Sequence, residues 1–300
     1  IANGSKKISR LDPYAREATH SNGNSIIHDP DFEWKTVGFE IAPLHELVIY
    51  ELHVGTFNDP SEVLPGNFNK AIEKLPYLRD LGVNAIEVMP AMEFRGGFSW
   101  GYNPALIFAI ESEYGGPAAF KKFVRSAHEN DLAVIFDVVY NHFGPGDLSL
   151  WQFDGWNENN KGGIYFYNDR RSQTPWGDTR PDYGRPEVRH YIKDNALMWM
   201  EEFQIDGLRW DATAYIRNIY GNDNDPDNDI IDGWSLMQWI NQEIKRQWPH
   251  KICIAEDLRN NPYFTKVRLI GENKIIMMFL DQIKCFLSGF NGINGITVKY

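Results

Sequence analysis

The stretch Ile205-Asp206-Gly207-Leu208-Arg209-Trp210-Asp211-Ala212-Thr213 sets an arginine and an aspartate two residues apart at the end of a short apolar run. In an extended strand alternate side chains share a face, so Arg209 and Asp211 point the same way. An adjacent cation lowers a carboxylate pKa and keeps the group ionised. A fixed, ionised aspartate at a strand end is what a nucleophilic carboxylate requires. A buried ion pair without chemistry is the competing reading of this stretch taken alone. Two other apolar runs carry acids: residues 132–140 are interrupted by Asp137, and residues 251–257 close on Glu256. Neighbouring strands lie ~4.8 Å apart. Asp211 and Glu256 on adjacent strands therefore fall near the ~5 Å carboxyl separation of a retaining glycosidase, in which one acid attacks the sugar carbon and the other protonates the leaving oxygen. His142, just beyond the 132–140 run, is placed to hydrogen-bond a sugar hydroxyl. Each residue singly has a structural explanation; acids at three successive strand ends with a histidine beside them make a joint structural explanation much weaker.

The elements that must position these side chains alternate along the chain. Residues 47–54 read as a β-rich strand ended by Gly55. Asn67 caps a helix with Phe68, Ala71, Ile72, Leu75 and Leu78 at helical spacing, and Pro76 should kink it. Residues 84–90 form a second strand. A Gly- and aromatic-rich loop follows from Phe94 to Asn103, and a helix opens at Pro117. Residues 132–140 are nearly all apolar, as a strand buried on both faces should be. Residues 141–181 show no periodicity and are too long for a simple loop, which predicts a small inserted subdomain. A helix from Pro186 leads to the Arg209 strand. The acidic loop 223–232 lacks the glycine and terminal glutamate of an EF-hand and reads as solvated. A helix over 235–247 precedes the strand that ends at Glu256. Strand alternating with helix argues for a parallel sheet with helical crossovers: a (β/α)8 barrel, incomplete with five repeats visible, or an open doubly wound sheet. No Gly-x-Gly-x-x-Gly opens the first helix, which argues against a dinucleotide fold.

The composition narrows the partners. Of 300 residues, 43% are hydrophobic and 24% charged, the balance of a globular chain. A net charge of -11 and a pI near 5.2, with no Lys/Arg cluster, argue against nucleic acid or an anionic membrane as partner. Cys253 and Cys285 are too few for a disulfide framework, which points to a reducing cytoplasm. No cofactor is expected. Ten tryptophans suit a cleft that stacks on sugar rings.

Asp137-Val138-Val139-Tyr140-Asn141-His142, Gly207-Leu208-Arg209-Trp210-Asp211-Ala212 and Ile254-Ala255-Glu256-Asp257 resemble, in order, signature segments of the α-amylase superfamily, glycoside hydrolase family 13. Gly82-Val83-Asn84-Ala85-Ile86-Glu87-Val88-Met89-Pro90 resembles a further one. The resemblance covers residues 44–264 as a partial barrel, with 141–181 as its inserted domain and 1–43 as the end of a preceding β-sandwich module plus linker. It implies an enzyme acting on α-1,4-glucan with Asp211 as nucleophile, Glu256 as general acid/base and Arg209 positioning Asp211. It further implies Asp137, His142 and Tyr102 at the sugar pocket, Tyr102 as aromatic platform. Some relatives bind calcium near the position of Asn141; the acids here specify no geometry, and the metal is left open. Tyr50-Glu51-Leu52-His53-Val54-Gly55-Thr56-Phe57 is similar to glucan branching enzymes and to maltooligosyltrehalose trehalohydrolases alike. Thr174-Pro175-Trp176-Gly177 leans to the trehalohydrolases. Asp182-Tyr183-Gly184-Arg185-Pro186-Glu187-Val188-Arg189 leans to the branching enzymes, which the sequence narrowly favours.

The family's third catalytic acid, usually in a His-Asp pair, has no counterpart here. Asp281 follows an apolar run but no histidine precedes it. The tail 265–300 reads as truncated or out of frame from near Thr265, and an open cleft with little turnover is then expected. A binding remnant that holds glucan without cleaving it is the alternative from a different class.

Overall fold

The computed structural model describes residues 1–4, 6–35, 38–59, 61, 63–257, 259 and 261, and the backbone of 277–279. The expectations for residues 265–300, Asp281 among them, lie otherwise outside the described residues.

Two short antiparallel pairs open the chain: β1 (Ala2–Asn3) with β2 (Lys6–Lys7), and β3 (Glu17–Ala18) with β4 (Ser25–Ile26). The main sheet is parallel and contains β5 (Ile49–Leu52), β6 (Ala85–Val88), β9 (Ala133–Val138), β10 (Gly207–Trp210), β11 (Ile252–Ala255) and β12 (Met277–Phe279), paired in that order. The order advances in one direction. A doubly wound sheet reverses at a switch point, so the barrel alternative holds. The sixth strand, β12, lies in the tail beyond the five repeats visible in the sequence.

Local chemistry explains the crossovers. After β5 come α1 (Val54–Phe57), α2 (Phe68–Ile72) and α3 (Leu75–Asp80). The Asn67 side chain accepts from Lys70 N, the N-cap its residue type predicts. The expected kink at Pro76 is a full break, with Pro76 in the first turn of a new helix, where its missing N–H costs nothing. The aromatic loop after β6 is flanked by strands: β7 (Met92–Phe94) and β8 (Pro104–Ile110) form an antiparallel hairpin beside the main sheet. All seven β8 residues are buried, which removes the alternation that marks a strand in sequence. Helix α4 (Gly116–His128) then returns the chain to β9. Residues 141–181 hold only short turns, around Gly163–Tyr165 and Arg170–Ser172. Helix α5 (Pro186–Glu201) leads to β10; α6 (Thr213–Arg217) and α7 (Ile231–Gln247) separate β10 from β11. The short α6 was not legible in sequence, and α7 begins four residues earlier than predicted. Among the described residues no helix is long and apolar enough to cross a membrane.

The core between sheet and helices is aromatic. Phe120 on α4 meets Phe68 at 4.9 Å, Phe136 at 5.3 Å and Phe203 at 5.4 Å between ring centroids, and Trp199 stands edge-on at 6.3 Å. Phe120→Ala should therefore cost about 3–5 kcal/mol, read as a lower urea midpoint with an unchanged slope.

Candidate active site

At the carboxyl ends of β5, β6, β9, β10 and β11 a cleft of about 750 Å3 opens, lined by Glu51, Glu87, Tyr102, His142, Trp176, Arg209, Asp211, Tyr215 and Glu256 among others. Arg209 is its centre. The β9–β10 register pairs Arg209 directly with Asp137, and Asp211 follows two residues on, on the same face. Arg209 Nη1 donates to Asp137 Oδ2 at 2.7 Å and to Asp211 Oδ1 at 2.9 Å; Nη2 lies 2.9 Å from Glu256 Oε2. One guanidinium thus bridges the two candidate catalytic acids.

Their surroundings set their charge. Burial pushes Asp211 up to about 6, against the pull of Arg209 and with the Glu256 charge adding to the rise. This corrects the expectation that Arg209 holds the aspartate below the usual range: the cation is shared among several anions, and desolvation outweighs its share. Burial likewise raises Asp137, with Asp211 and Glu87 adding to it. Burial disfavours the charged form of Arg209, but Asp137, Asp211 and Glu256 outweigh it and leave its pKa raised. His142 is driven down to about 4 by burial and stays neutral at pH 7.

The other predicted residues take distinct places. Asp137 has no exposed surface and lies beneath the cleft, where it accepts the Tyr102 hydroxyl at 2.9 Å. Tyr102 lines the cleft with its ring 5.9 Å from the Arg209 guanidinium. The His142 ring stacks on Trp176 at 4.7 Å, and Trp176 meets Tyr215 edge-on at 5.1 Å.

Several supporting residues had no part in the catalytic reading of the sequence. Asn141 Nδ2 donates to Asp211 Oδ2 at 2.8 Å, fixing the oxygen that Arg209 Nη1 leaves free. Ala212 adopts φ 42°, a left-handed conformation rare outside glycine, and its N–H donates to Glu256 Oε2 at 2.9 Å. Thr213 Oγ1 donates to the Glu256 carbonyl at 2.7 Å. Arg217 grips the buried Asp257 through Nε at 2.7 Å and Nη2 at 3.0 Å, so the residue after Glu256 is pinned. Asn141 Oδ1 faces His142 Nδ1 at 2.5 Å. Among the described residues no group of three or more His, Cys, Asp or Glu is arranged to hold a metal ion.

The alpha amylase catalytic domain family matches residues 19–171. This chain belongs to the α-amylase family. A malto-oligosyltrehalose trehalohydrolase of Saccharolobus solfataricus is 40% identical over 302 residues, covering 96% of this chain and 48% of that protein. The 1,4-alpha-glucan branching enzyme GlgB of Pseudoalteromonas atlantica is 30% identical over 277 residues, covering 85% of this chain and 37% of its own. A crystal structure from Salmonella typhimurium, described as of alpha amylase type, superposes with a TM-score of 0.74 at 34% identity over 91% of this chain and 42% of that one. The chain spans less than half the length of these relatives. With the family established, the parallel sheet is part of a (β/α)8 barrel.

The geometry makes Arg209 a shared counter-ion. Arg209→Met would leave Asp137 and its neighbours buried without a cation and should cost about 3–5 kcal/mol. Adding Asp137→Asn should recover part of that loss, measured by denaturant titration of both variants.

Proposed function

We propose that the chain carries the catalytic centre for double-displacement cleavage of an α-1,4-glucan, with Asp211 as nucleophile and Glu256 as general acid/base. The observation that carries this reading is the single Arg209 guanidinium held between the two carboxylates in an aromatic-walled cleft. Asp211 attacks the anomeric carbon while the Glu256 proton passes to the departing oxygen. The C–O bond breaks, and a glycosyl–Asp211 ester forms with inversion. Glu256, now ionised, takes the proton of the incoming hydroxyl, and a second inversion restores the configuration. Asn141 and Arg209 hold the Asp211 oxygens through both steps. Tyr102, His142 and Trp176 supply hydroxyl contacts and ring faces to the sugar; Asp137 positions Tyr102 and Arg209 from below. No cofactor or nucleic-acid partner enters this reading.

Hydrolysis of trehalose-ended maltooligosaccharides is the reading the walls support best. Trp176, in the segment that resembles the trehalohydrolases, lines the cleft. The segment that resembles branching enzymes does not: it leads into α5, with Tyr183 buried. The 40% identity to a trehalohydrolase points the same way. Branching is the second reading, kept by the identities near 30–33% to several GlgB enzymes.

The chain, alone and extended through the remaining barrel strands, is to be incubated with amylose and with maltotriosyl trehalose. Release of free trehalose supports the first reading. A fall in iodine colour at constant reducing ends supports branching. Asp211→Asn and Glu256→Gln should each lower kcat at least about 10³-fold; retained turnover would reject the assignment. Asp211 must be ionised to attack, so activity should rise with pH through about 6 and fall away below it.

A further inference from the structure

Glu51 and Glu87 are the acids lining the cleft that the double displacement leaves unused, and Glu87 is the one beside Arg209. It stands on β6, in register with Glu51 of β5 on one side and Ile135 of β9 on the other. It lines the cleft yet is only 4% exposed. Its Oε1 lies 3.9 Å from Arg209 Nε. That nitrogen is the one part of the guanidinium not given to the candidate catalytic acids, and it is buried without a hydrogen-bond partner. The charged and titratable groups around this point are Glu51 on β5, Asp137 on β9, Arg209 and Asp211 at β10, Glu256 after β11, and Tyr102 and His142 in the loops. Among the described residues lining the cleft, Arg209 is the single permanent cation.

We propose that Glu87 is a positioning residue of the reaction, acting through Arg209: from the adjacent strand it faces the uncommitted edge of the guanidinium and sets how much of that positive charge reaches Asp137 and Asp211. The inference rests on the reading of Asp211 as nucleophile. Its physical basis is the division of one cation among several anions. Each further carboxylate near the guanidinium offsets part of the field the others feel, and inside a cleft that field is weakly screened. The Glu87 charge contributes to the rise at Asp137. Asp137 and Asp211 share the same Nη1, so what the Glu87 charge offsets in the field of Arg209 is offset for both. Glu87 thereby holds the nucleophile nearer to neutral pH than Arg209 alone would.

Glu87→Gln keeps the size and removes the charge, so it should let Arg209 act more fully on Asp137 and Asp211. The acid limb of kcat/KM should move down by about one pH unit. A second readout needs no turnover. A carboxyl raised in the folded protein stabilises it fully below the unfolded value, about 3.9 for Asp, and that contribution is lost as pH rises through the folded pKa. The fall of Tm that begins near pH 4 in the parent should therefore end at lower pH in E87Q. In an Asp137→Asn background the further change on adding E87Q should shrink, because Asp211 alone remains to respond.

Coincident Tm–pH curves for parent and E87Q would overturn the proposal. So would an undiminished E87Q effect in the Asp137→Asn background, since Glu87 would then be titrating on its own account. Should E87Q fail to fold, Glu87→Asp draws the charge back by one methylene; a smaller shift in the same direction supports the proposal, and none overturns it. If Asp211→Asn retains turnover, the nucleophile assignment fails, and the Tm–pH curves still decide whether Glu87 acts on Arg209.

Discussion

A single buried cation organises this molecule. Arg209 is 7% exposed and bonds to Asp137 and Asp211, with Glu256 at salt-bridge distance and Glu87 a little farther off. Burying one unpaired ion is very costly, and burying several like charges around one counter-ion is tolerable only when hydrogen bonds satisfy the rest. The supporting bonds follow from that demand. Tyr102 donates to Asp137, Asn141 to Asp211 and the Ala212 amide to Glu256. Because Arg209 and Asp137 are register partners, a one-residue slip of β10 against β9 would turn the guanidinium to the other face and strand every acid it serves. The parallel sheet is therefore constrained by its charges as much as by its apolar core.

The same arrangement fixes the cleft walls. The loop bearing Trp100 and Tyr102 is tied to the first barrel strand by His53, whose Nε2 lies 2.8 Å from the Ser99 carbonyl and 3.1 Å from the Tyr114 hydroxyl. At its bend Gly101 has φ +87°, and an added Cβ would stand 1.9 Å from the Pro90 carbonyl oxygen; only glycine passes there. At the base of the hairpin Glu93 and Glu111 lie buried and accept the backbone N–H groups of Ser112 and Phe94. Burial pushes Glu93 up to about 7 and Glu111 up to about 8, the latter also raised by Glu93. These acids serve here as local caps, in contrast to the shared charge at Arg209.

What was legible in the sequence followed strong local signals. Residues 132–140 announced a doubly buried strand, Asn67 a cap, and the acids at strand ends a common face. What was hidden depended on tertiary context. Pro104–Ile110 is buried throughout and carries no alternation, so a strand was invisible inside what read as the end of an aromatic loop. Thr213–Arg217 is a single helical turn and a half, held by Thr213 on Glu256 and Arg217 on Asp257 rather than by any apolar stripe. Glu87 sat within a recognisable segment, but nothing local separates a strand acid that faces a cleft from one that faces solvent. The direction of the Asp211 shift was misjudged for a related reason: the sequence shows one arginine beside one aspartate, and only the fold reveals the other claimants on that cation.

In the proposed double displacement, cleavage and transfer share the glycosyl–Asp211 ester, so the acids alone do not choose between them. The choice rests on what reaches the anomeric carbon second. A transferase must seat an acceptor sugar long enough to outcompete water, which calls for extended ring faces beyond the cleaved bond. Here Trp176 is braced on both sides, by His142 in stacking contact and by Tyr215 edge-on, and so is held at little further cost in side-chain entropy. Trp100 is 72% exposed on the opposite loop and lacks such bracing among the ring contacts described. One fixed platform and one free one favour a short, well-held group at Trp176 over a long acceptor chain spread across both walls. That asymmetry supports the proposal that water, not a sugar hydroxyl, takes up the glycosyl group.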